Sequence, residues 1–415
     1  MKKQFLGGFT MRRNRVNPAA ERRARRIALA ALILAAACGK AGAQPNPRDD
    51  FTVVFGGNRG SVTITGYRGA PAEVVIPAEY GGIPVRAIAK GAFRNNGSIV
   101  SVLIPEGVTS IGGYAFEGCG SLRSITLPES LRSIGDGAFW GCGSLTAAAL
   151  PEGLKSVGGG AFWGCGSLSS ITLPKGLTSI GGGAFSGCSS LVSVTLPKGL
   201  RSIGSGAFSG CSSLGSITLP KGLTSIGYGA FSRCISLSSI ILPKGLRSIG
   251  DNAFTGCSGL RSITLPKGLT SIGGYVFWGC NSLAAITLPE GLASIGYGAF
   301  WGCSGLAAVA LPEGLRSIDW DAFRDCRGLS SIILPEGLAS IGMNAFEGCS
   351  GLTSIALPKS LTSVGHEAFK GCGSLASLTI GDGARITFGR TVFGPHSLSA
   401  ASRAALKKAG YTGTF

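Results

Sequence analysis

Twelve cysteines recur at a constant spacing of 23 residues, and thiols in such a series could form disulfides, bind a metal or pack as buried groups. They are Cys119, Cys142, Cys165, Cys188, Cys211, Cys234, Cys257, Cys280, Cys303, Cys326, Cys349 and Cys372. Zinc requires ligands that converge on one point, whereas one thiol per repeat places the ligands in a line. In repeats stacked about 4.8 Å apart, parallel side chains also hold their Cβ atoms farther apart than the roughly 3.8 Å of a disulfide. We predict reduced, packed thiols and no metal site, with disulfides as the alternative in an oxidising compartment.

Groups that could carry catalysis are scattered. The two histidines, His366 and His396, have no Cys or carboxylate at ligand spacing, and no Gly-x-Ser-x-Gly elbow is present for a serine nucleophile. Acidic residues fall at about one per repeat, so no pair of carboxylates is set up for acid–base work. The sequence therefore predicts a protein without catalytic activity, cofactor or metal.

A column of lysines offers a different chemistry, the binding of anions. Lys follows the same proline in five successive repeats, while the repeats on both sides carry Glu there. The column comprises Lys175, Lys198, Lys221, Lys244 and Lys267, and Arg201 and Arg247 lie three residues after two of them. Stacking would spread the five ammonium groups over about 19 Å, and neighbouring pairs would repel by around 1 kcal/mol even in water. The column predicts a site for sulfated glycans or another polyanion.

Duplication of repeats is the alternative origin of the lysine column. The position three residues after the Lys alternates between Thr and Arg, as in Thr178, Arg201 and Thr224, which indicates a copied two-repeat block. Copying would spread Lys without selection for binding. In either case the charge is uneven: the chain carries a formal net charge of +18, and residues 174–270 hold nine Lys or Arg against Asp251 alone.

Four tryptophans occupy one position of the repeat, directly after its phenylalanine. They are Trp140, Trp163, Trp278 and Trp301. Other repeats carry Arg94, Glu117 or Lys370 at this position, so it faces solvent. Adjacent exposed tryptophans are candidate contacts for a ligand. The alternative is that each ring lies flat on the flank of its neighbour.

These side chains are positioned by a repeating unit, Leu122-x-x-Ile125-x-Leu127-Pro128-x-x-Leu131-x-x-Ile134-Gly135-x-x-Ala138-Phe139-x-x-Cys142. Alternate residues of a strand face the same side, so the unit predicts one short strand with Ile125 and Leu127 pointing inward. Pro128 then ends the strand, because it cannot donate to a backbone ladder. One unit cannot bury its apolar residues alone, so the units stack into a capped solenoid.

The glycine after the isoleucine, Gly135 in this unit, recurs in nearly every repeat. It predicts either a positive φ or a backbone too close to its neighbour for a Cβ atom. Asp319 replaces this glycine in one repeat, and we expect it to fill the same turn in a left-handed conformation, which Asp tolerates better than most residues.

The unit resembles the 23-residue, Treponema-type leucine-rich repeat of BspA-like bacterial surface proteins, and the resemblance covers residues 51 to about 380. It implies a curved, right-handed, mainly β solenoid without enzymatic activity, with the short strand of each coil on the concave face. In the better-known members such a solenoid is displayed outside the cell and serves adhesion to host proteins or other bacteria. The resemblance does not specify a ligand.

Residues 1–43 predict an export signal. They hold ten Lys or Arg, and the apolar run of residues 27–37 is shorter than the roughly 20 residues of a transmembrane helix. Two cleavage sites remain open. Residues 34–39 resemble a lipoprotein lipobox that would lipidate Cys38, although Leu34 stands one place too early, and residues 41–43 fit ordinary cleavage before Gln44.

The other boundaries follow from where the repeat begins and ends. Residues 44–50 predict a polar tether, and residues 51–98 predict an N-terminal cap, built on a β-hairpin over 51–65, together with a first, longer repeat. Tandem repeats fill residues 99–380. Residues 381–415 predict a C-terminal cap with a short helix over 399–408.

Export, repeats and the lack of catalytic groups together predict an exported, surface-associated binding protein, adhesin-like, that recognises a host or bacterial surface protein or a glycan. The alternative is a structural or scaffolding protein of the cell envelope. The predicted location is the cell surface or outer membrane, with secreted and periplasmic alternatives, and the membrane is contacted only through a lipid on Cys38. We expect a monomer without specific nucleic-acid binding.

Overall fold

The structure, a computed structural model, describes residues 44–57, 60–394 and 398–414. The export signal with Cys38 and the histidine at position 396 lie outside the described residues, so the statements about them stay predictions. Within the described ranges, no helix has the length and apolarity that a membrane crossing requires.

The described chain is a mainly β solenoid of 23-residue coils, as the repeat predicts. Each coil gives one short strand to a parallel ladder, which we call the first ladder. Its strands are Glu73–Val75, Ser101–Leu103, Ser124–Thr126, Ala147–Ala149, Ser170–Thr172, Ser193–Thr195, Ser216–Thr218, Ser239–Ile241, Ser262–Thr264, Ala285–Thr287, Ala308–Ala310, Ser331–Ile333, Ser354–Leu357 and Ser377–Ile380. Val194 is buried while Ser193 and Thr195 are exposed, and Val194 pairs with Ile217 of the next coil. The predicted strand and its inward face are confirmed.

A second ladder of two-residue strands runs along the solenoid, and the repeat pattern did not predict it. Its strands are Ser110–Ile111, Ser133–Ile134, Ser156–Val157, Ser179–Ile180, Ser202–Ile203, Ser225–Ile226, Ser248–Ile249, Ser271–Ile272, Ser294–Ile295, Ser317–Ile318, Ser340–Ile341, Ser363–Val364 and Thr387–Phe388. Serine pairs with serine and isoleucine with isoleucine in neighbouring coils, as in Ser202–Ser225 and Ile203–Ile226. The coils are therefore joined along two lines.

A turn connects the two ladders in each coil, and the proline opens it. The carbonyl oxygen of Pro128 accepts a hydrogen bond from the N–H of Leu131 at 3.1 Å, and Pro197 and Leu200 repeat this contact at 3.1 Å. The residue after the proline thus sits at the outer corner of the turn. This corner carries Glu or Lys in most coils.

The glycine after the second-ladder isoleucine is required by the close approach of neighbouring coils. A Cβ atom on Gly204 would lie 2.7 Å from the nitrogen of Gly182, a backbone atom that cannot rotate away. Left-handed residues lie elsewhere, two residues before and two after the phenylalanine, as at Gly206 (φ 61°) and Gly210 (φ 70°). The expectation that Asp319 is left-handed is therefore wrong.

A continuous ladder of aromatic rings fills the core. Fourteen phenylalanines stack on one another, with centroids 4.7 to 5.7 Å apart and planes within 18° of parallel. They are Phe93, Phe116, Phe139, Phe162, Phe185, Phe208, Phe231, Phe254, Phe277, Phe300, Phe323, Phe346, Phe369 and Phe393. Such pairs contribute about 0.5–1.5 kcal/mol each beyond the burial of their area. The rings therefore hold each coil in register with its neighbours.

The N-terminal end of this aromatic ladder is covered by the predicted hairpin. Phe51–Phe55 pairs antiparallel with Val62–Tyr67, which in turn pairs parallel with Ile83–Ile88 of the first, longer repeat. The ring of Tyr67 lies 5.7 Å from that of Phe93 and closes the stack. The hairpin thus extends the second ladder by two strands.

The segment predicted as a tether packs against the first repeat. Asn46 is 9% exposed, and its side-chain oxygen accepts a hydrogen bond from the N–H of Val75 at 2.6 Å. Arg48–Asp50 forms one 3-10 turn, and Arg48 contacts Glu79 of the short strand Glu79–Tyr80. This part of the chain is ordered by the coil that it touches.

The predicted C-terminal helix is confirmed as Ala400–Lys408. Ser399 caps it, since its hydroxyl accepts a hydrogen bond from the N–H of Ser402 at 3.2 Å. The Ser402 hydroxyl accepts a bond from the N–H of Leu378, which ties the helix to the last strand of the first ladder. Tyr411 then packs edge-on against Phe393 at 5.3 Å and ends the aromatic ladder.

The twelve repeat cysteines are buried as free thiols. Each sulfur donates a hydrogen bond to the carbonyl oxygen of a phenylalanine 26 residues earlier, such as Cys188 to Phe162 at 3.2 Å and Cys211 to Phe185 at 3.1 Å. Burial raises the pKa of the Cys119 thiol to about 11 and that of Cys211 to about 12. Since the thiolate is the reactive form, these side chains are inert structural groups.

We expect the mature chain, residues 44–415, to protect all twelve thiols in the folded state. Iodoacetamide added to the native protein should modify none of them, because each is buried and carries its proton at neutral pH. After denaturation without a reductant, mass spectrometry should find twelve alkylated cysteines. Pairs of cysteines that stay unmodified until a reductant is added would instead establish the disulfide alternative.

Candidate ligand-binding surface

The structure brings the seven predicted basic residues together on the turns between the two ladders. All of their side chains are exposed; they are Lys175, Lys198, Lys221, Lys244, Lys267, Arg201 and Arg247. None of them forms a salt bridge with any residue in the described ranges. Their charge therefore faces solvent without a counter-ion among the described residues.

Two of the coils that carry Glu at the turn corner show what an anionic group can do there. One carboxylate oxygen of Glu106 accepts a hydrogen bond from the N–H of Glu129, the equivalent residue of the next coil, at 3.0 Å. Glu152 does the same for the N–H of Lys175, also at 3.0 Å. A carboxylate on one coil can thus satisfy an exposed backbone donor on the next.

Within the lysine column the same donors lack this partner, as they also do in the coils that follow Glu129, Glu290, Glu313 and Glu336. The N–H groups of Lys198, Lys221, Lys244 and Lys267 donate to no acceptor among the residues that the structure describes. The preceding coil presents an ammonium group at each of these corners, and an ammonium group cannot accept a hydrogen bond. Each corner therefore combines a backbone donor with neighbouring positive charges, which is the donor set of an anion site.

The arginines extend this surface toward the second ladder. The guanidinium of Arg201 reaches the next coil and donates to the carbonyl oxygen of Gly222 at 3.4 Å. Arg247 and Lys244 line a shallow groove of about 370 Å³ together with Gly268. The groove adds a recessed place for a ligand group within an otherwise open column.

The four predicted tryptophans form two pairs of neighbouring rings. Trp140 and Trp163 are 5.0 Å apart and nearly parallel, at 8°, and both rings stay partly exposed. Trp278 and Trp301 are 5.9 Å apart and tilted by 36°. In each pair the two rings thus pack against each other, and part of the pair stays exposed.

Partners of the second pair were missed by sequence reasoning. Tyr275 lies 5.6 Å from Trp278, and the guanidinium of Arg324 lies 4.9 Å above the ring of Trp301. Arg324 is held by Asp321 at 3.1 Å and Glu347 at 3.2 Å. The available signal was Tyr275 itself, since most coils have Gly at that position. Because Arg324 covers one ring of this pair, the Trp140–Trp163 pair is the more open of the two.

The coil geometry defines a leucine-rich repeat protein. The sequence matches the family described as BspA type Leucine rich repeat region (6 copies), over residues 86–199, 183–307 and 270–399. The chain belongs to this family, and the resemblance seen in its repeat is confirmed. Proteins of this family are typically non-catalytic and displayed at the cell surface.

Solved structures of bacterial leucine-rich repeat proteins resemble the chain. A leucine-rich repeat protein from Bacteroides ovatus is 35% identical, with a TM-score of 0.76 over 84% of this chain and 92% of that one. A leucine rich cell surface protein from Faecalibacterium prausnitzii is 28% identical, with a TM-score of 0.58 over 88% and 98%. The T. pallidum leucine-rich repeat protein is 36% identical over 47% of this chain and 91% of its own, with a TM-score of 0.45. Among curated proteins, none matches significantly.

Proposed function

We propose that this protein is an exported, surface-associated binding protein whose lysine column holds a sulfated glycan. One observation carries the proposal: the corners of the column combine exposed ammonium groups with backbone N–H groups that no described residue satisfies. In two coils before the column, the carboxylates of Glu106 and Glu152 occupy the equivalent place. A sulfate group of the ligand would take the position that a carboxylate takes there.

The geometry also favours a polymer over a single anion as the ligand of this column. The corners repeat along the solenoid with the coil spacing of about 4.8 Å, so an extended chain of anionic groups meets several corners at once. Simultaneous contacts raise the apparent affinity without requiring any single strong site. Lys acts as a point charge at each corner, and binding should weaken steeply as salt screens these charges.

Replacing Lys198, Lys221 and Lys244 by Glu should abolish retention of the mature chain on a heparin column at low salt. The new carboxylates would reverse the charge of three adjacent corners. Far-UV circular dichroism should not change, since all three side chains are exposed. The elution salt concentration is the measurement.

A charge-matched control separates the column from net charge. Arg385, Arg390 and Lys408 lie near the C-terminal end, and their replacement by Glu changes the net charge by the same amount. This control should still be retained on heparin. Equal elution of the column variant and the parent would refute the column as the site, and loss of retention only in the control would place binding at the C-terminal end.

A further inference from the structure

A second groove lies across the last four coils of the second ladder, beyond the coils of the lysine column. Its volume is about 580 Å³, within the range of sites that bind small ligands. Each of the four coils contributes a hydroxyl residue, and the first three also contribute the residue that follows the Ile-Gly pair or its equivalent. The hydroxyl residues are Ser317, Ser340, Ser363 and Thr387, and they follow one another in parallel register. The groove thus has a row of hydroxyl residues about 14 Å long.

The other row consists of large side chains in three successive coils, whereas the earlier coils carry an aromatic residue at this position only at Tyr228 and Tyr297. The position after Ile-Gly holds Gly159, Gly182 and Ser205 in three central coils, but Trp320, Met343 and His366 in the coils that line the groove. Trp320 is 55% exposed and Met343 is 37% exposed. Three successive large residues therefore form a wall, with an indole and a thioether as its apolar part, that copying of the central coils would not produce.

The coil with Trp320 also departs from the repeat at the preceding residue. Asp319 stands where the neighbouring coils have glycine, and one of its carboxylate oxygens accepts a hydrogen bond from the N–H of Trp320 at 2.8 Å. The indole of Trp320 lies directly over Gly342 of the next coil, since a Cβ atom there would be 2.8 Å from the ring. Trp320 is thus held in place by its own coil and by the next one.

We propose that this groove is a binding site for a neutral oligosaccharide. A sugar ring has an apolar face of C–H groups and a rim of hydroxyls. An exposed indole can pack against such a face, while Ser and Thr hydroxyls can both donate to and accept from the rim. The groove offers these two features side by side along its length, with Trp320 on one row and Ser340 on the other.

Charge separates this ligand from the polyanion of the lysine column. Asp319 and His366 line the groove, and its described lining contains no Lys or Arg. A sulfated or carboxylated ligand would find no Lys or Arg in this lining, since Arg390, which follows Gly389, lies outside it, and would meet the carboxylate of Asp319. The site therefore fits an uncharged saccharide and adds a second ligand class to the one proposed above.

An array of neutral and sulfated oligosaccharides, probed with fluorescently labelled mature chain, tests this proposal. The parent should bind at least one neutral oligosaccharide, and Trp320→Ala should weaken that binding about tenfold or more, as truncation of an aromatic anchor does at other binding surfaces. Tyr228→Ala is the matched control, because Tyr228 is 60% exposed at the same position of an earlier coil and lies outside the groove. This control should bind as the parent does.

Two further variants keep the test decisive if Trp320→Ala misfolds or if the lysine column binds the same ligand. Ser340→Gln places a larger, uncharged side chain in the hydroxyl row, and it should also weaken the binding of neutral oligosaccharides. The triple Lys→Glu variant should lose sulfated ligands and keep neutral ones, so the two proposals fail separately. The proposal would be overturned if the parent bound no neutral oligosaccharide, or if the parent, Trp320→Ala and Ser340→Gln bound it equally well. Binding of immobilised apolar peptides by the parent and not by Trp320→Ala, without any sugar, would also overturn it.

Discussion

Raising the pH from about 8 to about 11 should unfold the repeat array, because twelve buried thiols cannot ionise inside it. Burial raises the pKa of Cys165, Cys257 and Cys372 to about 12, against an ordinary value of 9.0. Below pH 9.0 the folded and unfolded chains both keep these protons, so the stabilising contribution is complete. Above it the unfolded chain releases protons that the folded chain retains, and stability falls until the folded pKa is reached.

The expected effect is large because the thiols act together. Each contributes a loss of about 1.4 kcal/mol per pH unit in this window, and whole domains are stable by only about 5–15 kcal/mol. Circular dichroism against pH, and denaturant unfolding at several pH values, measure the effect.

A variant with fewer thiols provides the control. Replacing Cys234 and Cys257 by Ala should make the fall in stability with pH shallower by two protons, even though the cavities lower stability at every pH. A stability that does not change between pH 8 and 10 would show that the thiols are either linked or hydrated. The same outcome would contradict the hydrogen bonds that they donate to the phenylalanine carbonyls.

Periodic positions allowed most of the fold to be predicted from the sequence. An apolar residue recurs at the position of Ile125 and a phenylalanine at that of Phe139, and a side chain at a fixed place in a stacked unit must have a fixed environment. The hairpin and the helix carried local signals, alternation in one case and Ser399 before an Ala-rich segment in the other. These elements are confirmed.

Contacts between coils could not be predicted in the same way. A strand of two residues, such as Ser202–Ile203, contains no alternation, so only its pairing with the next coil identifies it. The bond from Cys211 to the Phe185 carbonyl depends on the exact register of two coils. In the sequence, the glycine at position 204 is equally consistent with a positive φ and with a close approach of two backbones. The structure shows the close approach.

One of the two candidate sites could be predicted from the sequence, and the other depends on contacts between coils. The lysine column was predictable because the position after the proline is easily compared between repeats. The groove could have been suspected from Trp320, Met343 and His366 at one repeat position, but its hydroxyl row belongs to the second ladder, which the sequence did not reveal. The satisfied and unsatisfied N–H groups at the turn corners likewise required the placement of Glu152 against Lys175.

Removal of the N-terminal hairpin should damage the protein far more than removal of a whole internal coil. Deleting residues 51–65 eliminates the buried side chains of Phe51, Val62 and Ile64. Full burial contributes about 1.5–3 kcal/mol for each such side chain, so roughly 5–9 kcal/mol is at stake as an upper bound. The deletion also exposes the edge of Ile83–Ile88, a template for pairing with another chain. We expect aggregation.

Deleting residues 189–211 should instead leave a soluble, folded protein that is one coil shorter. Phe208 leaves with the coil, and Phe185 can then stack on Phe231 as it now stacks on Phe208, because all these rings repeat in one register. Only one coil and one interface are lost, which a repeat array tolerates. The soluble fraction, size-exclusion chromatography with light scattering, and thermal unfolding compare the two deletions. Equal aggregation of both would mean that the hairpin does not cap the solenoid, and equal solubility would mean that the Phe93 end needs no cover.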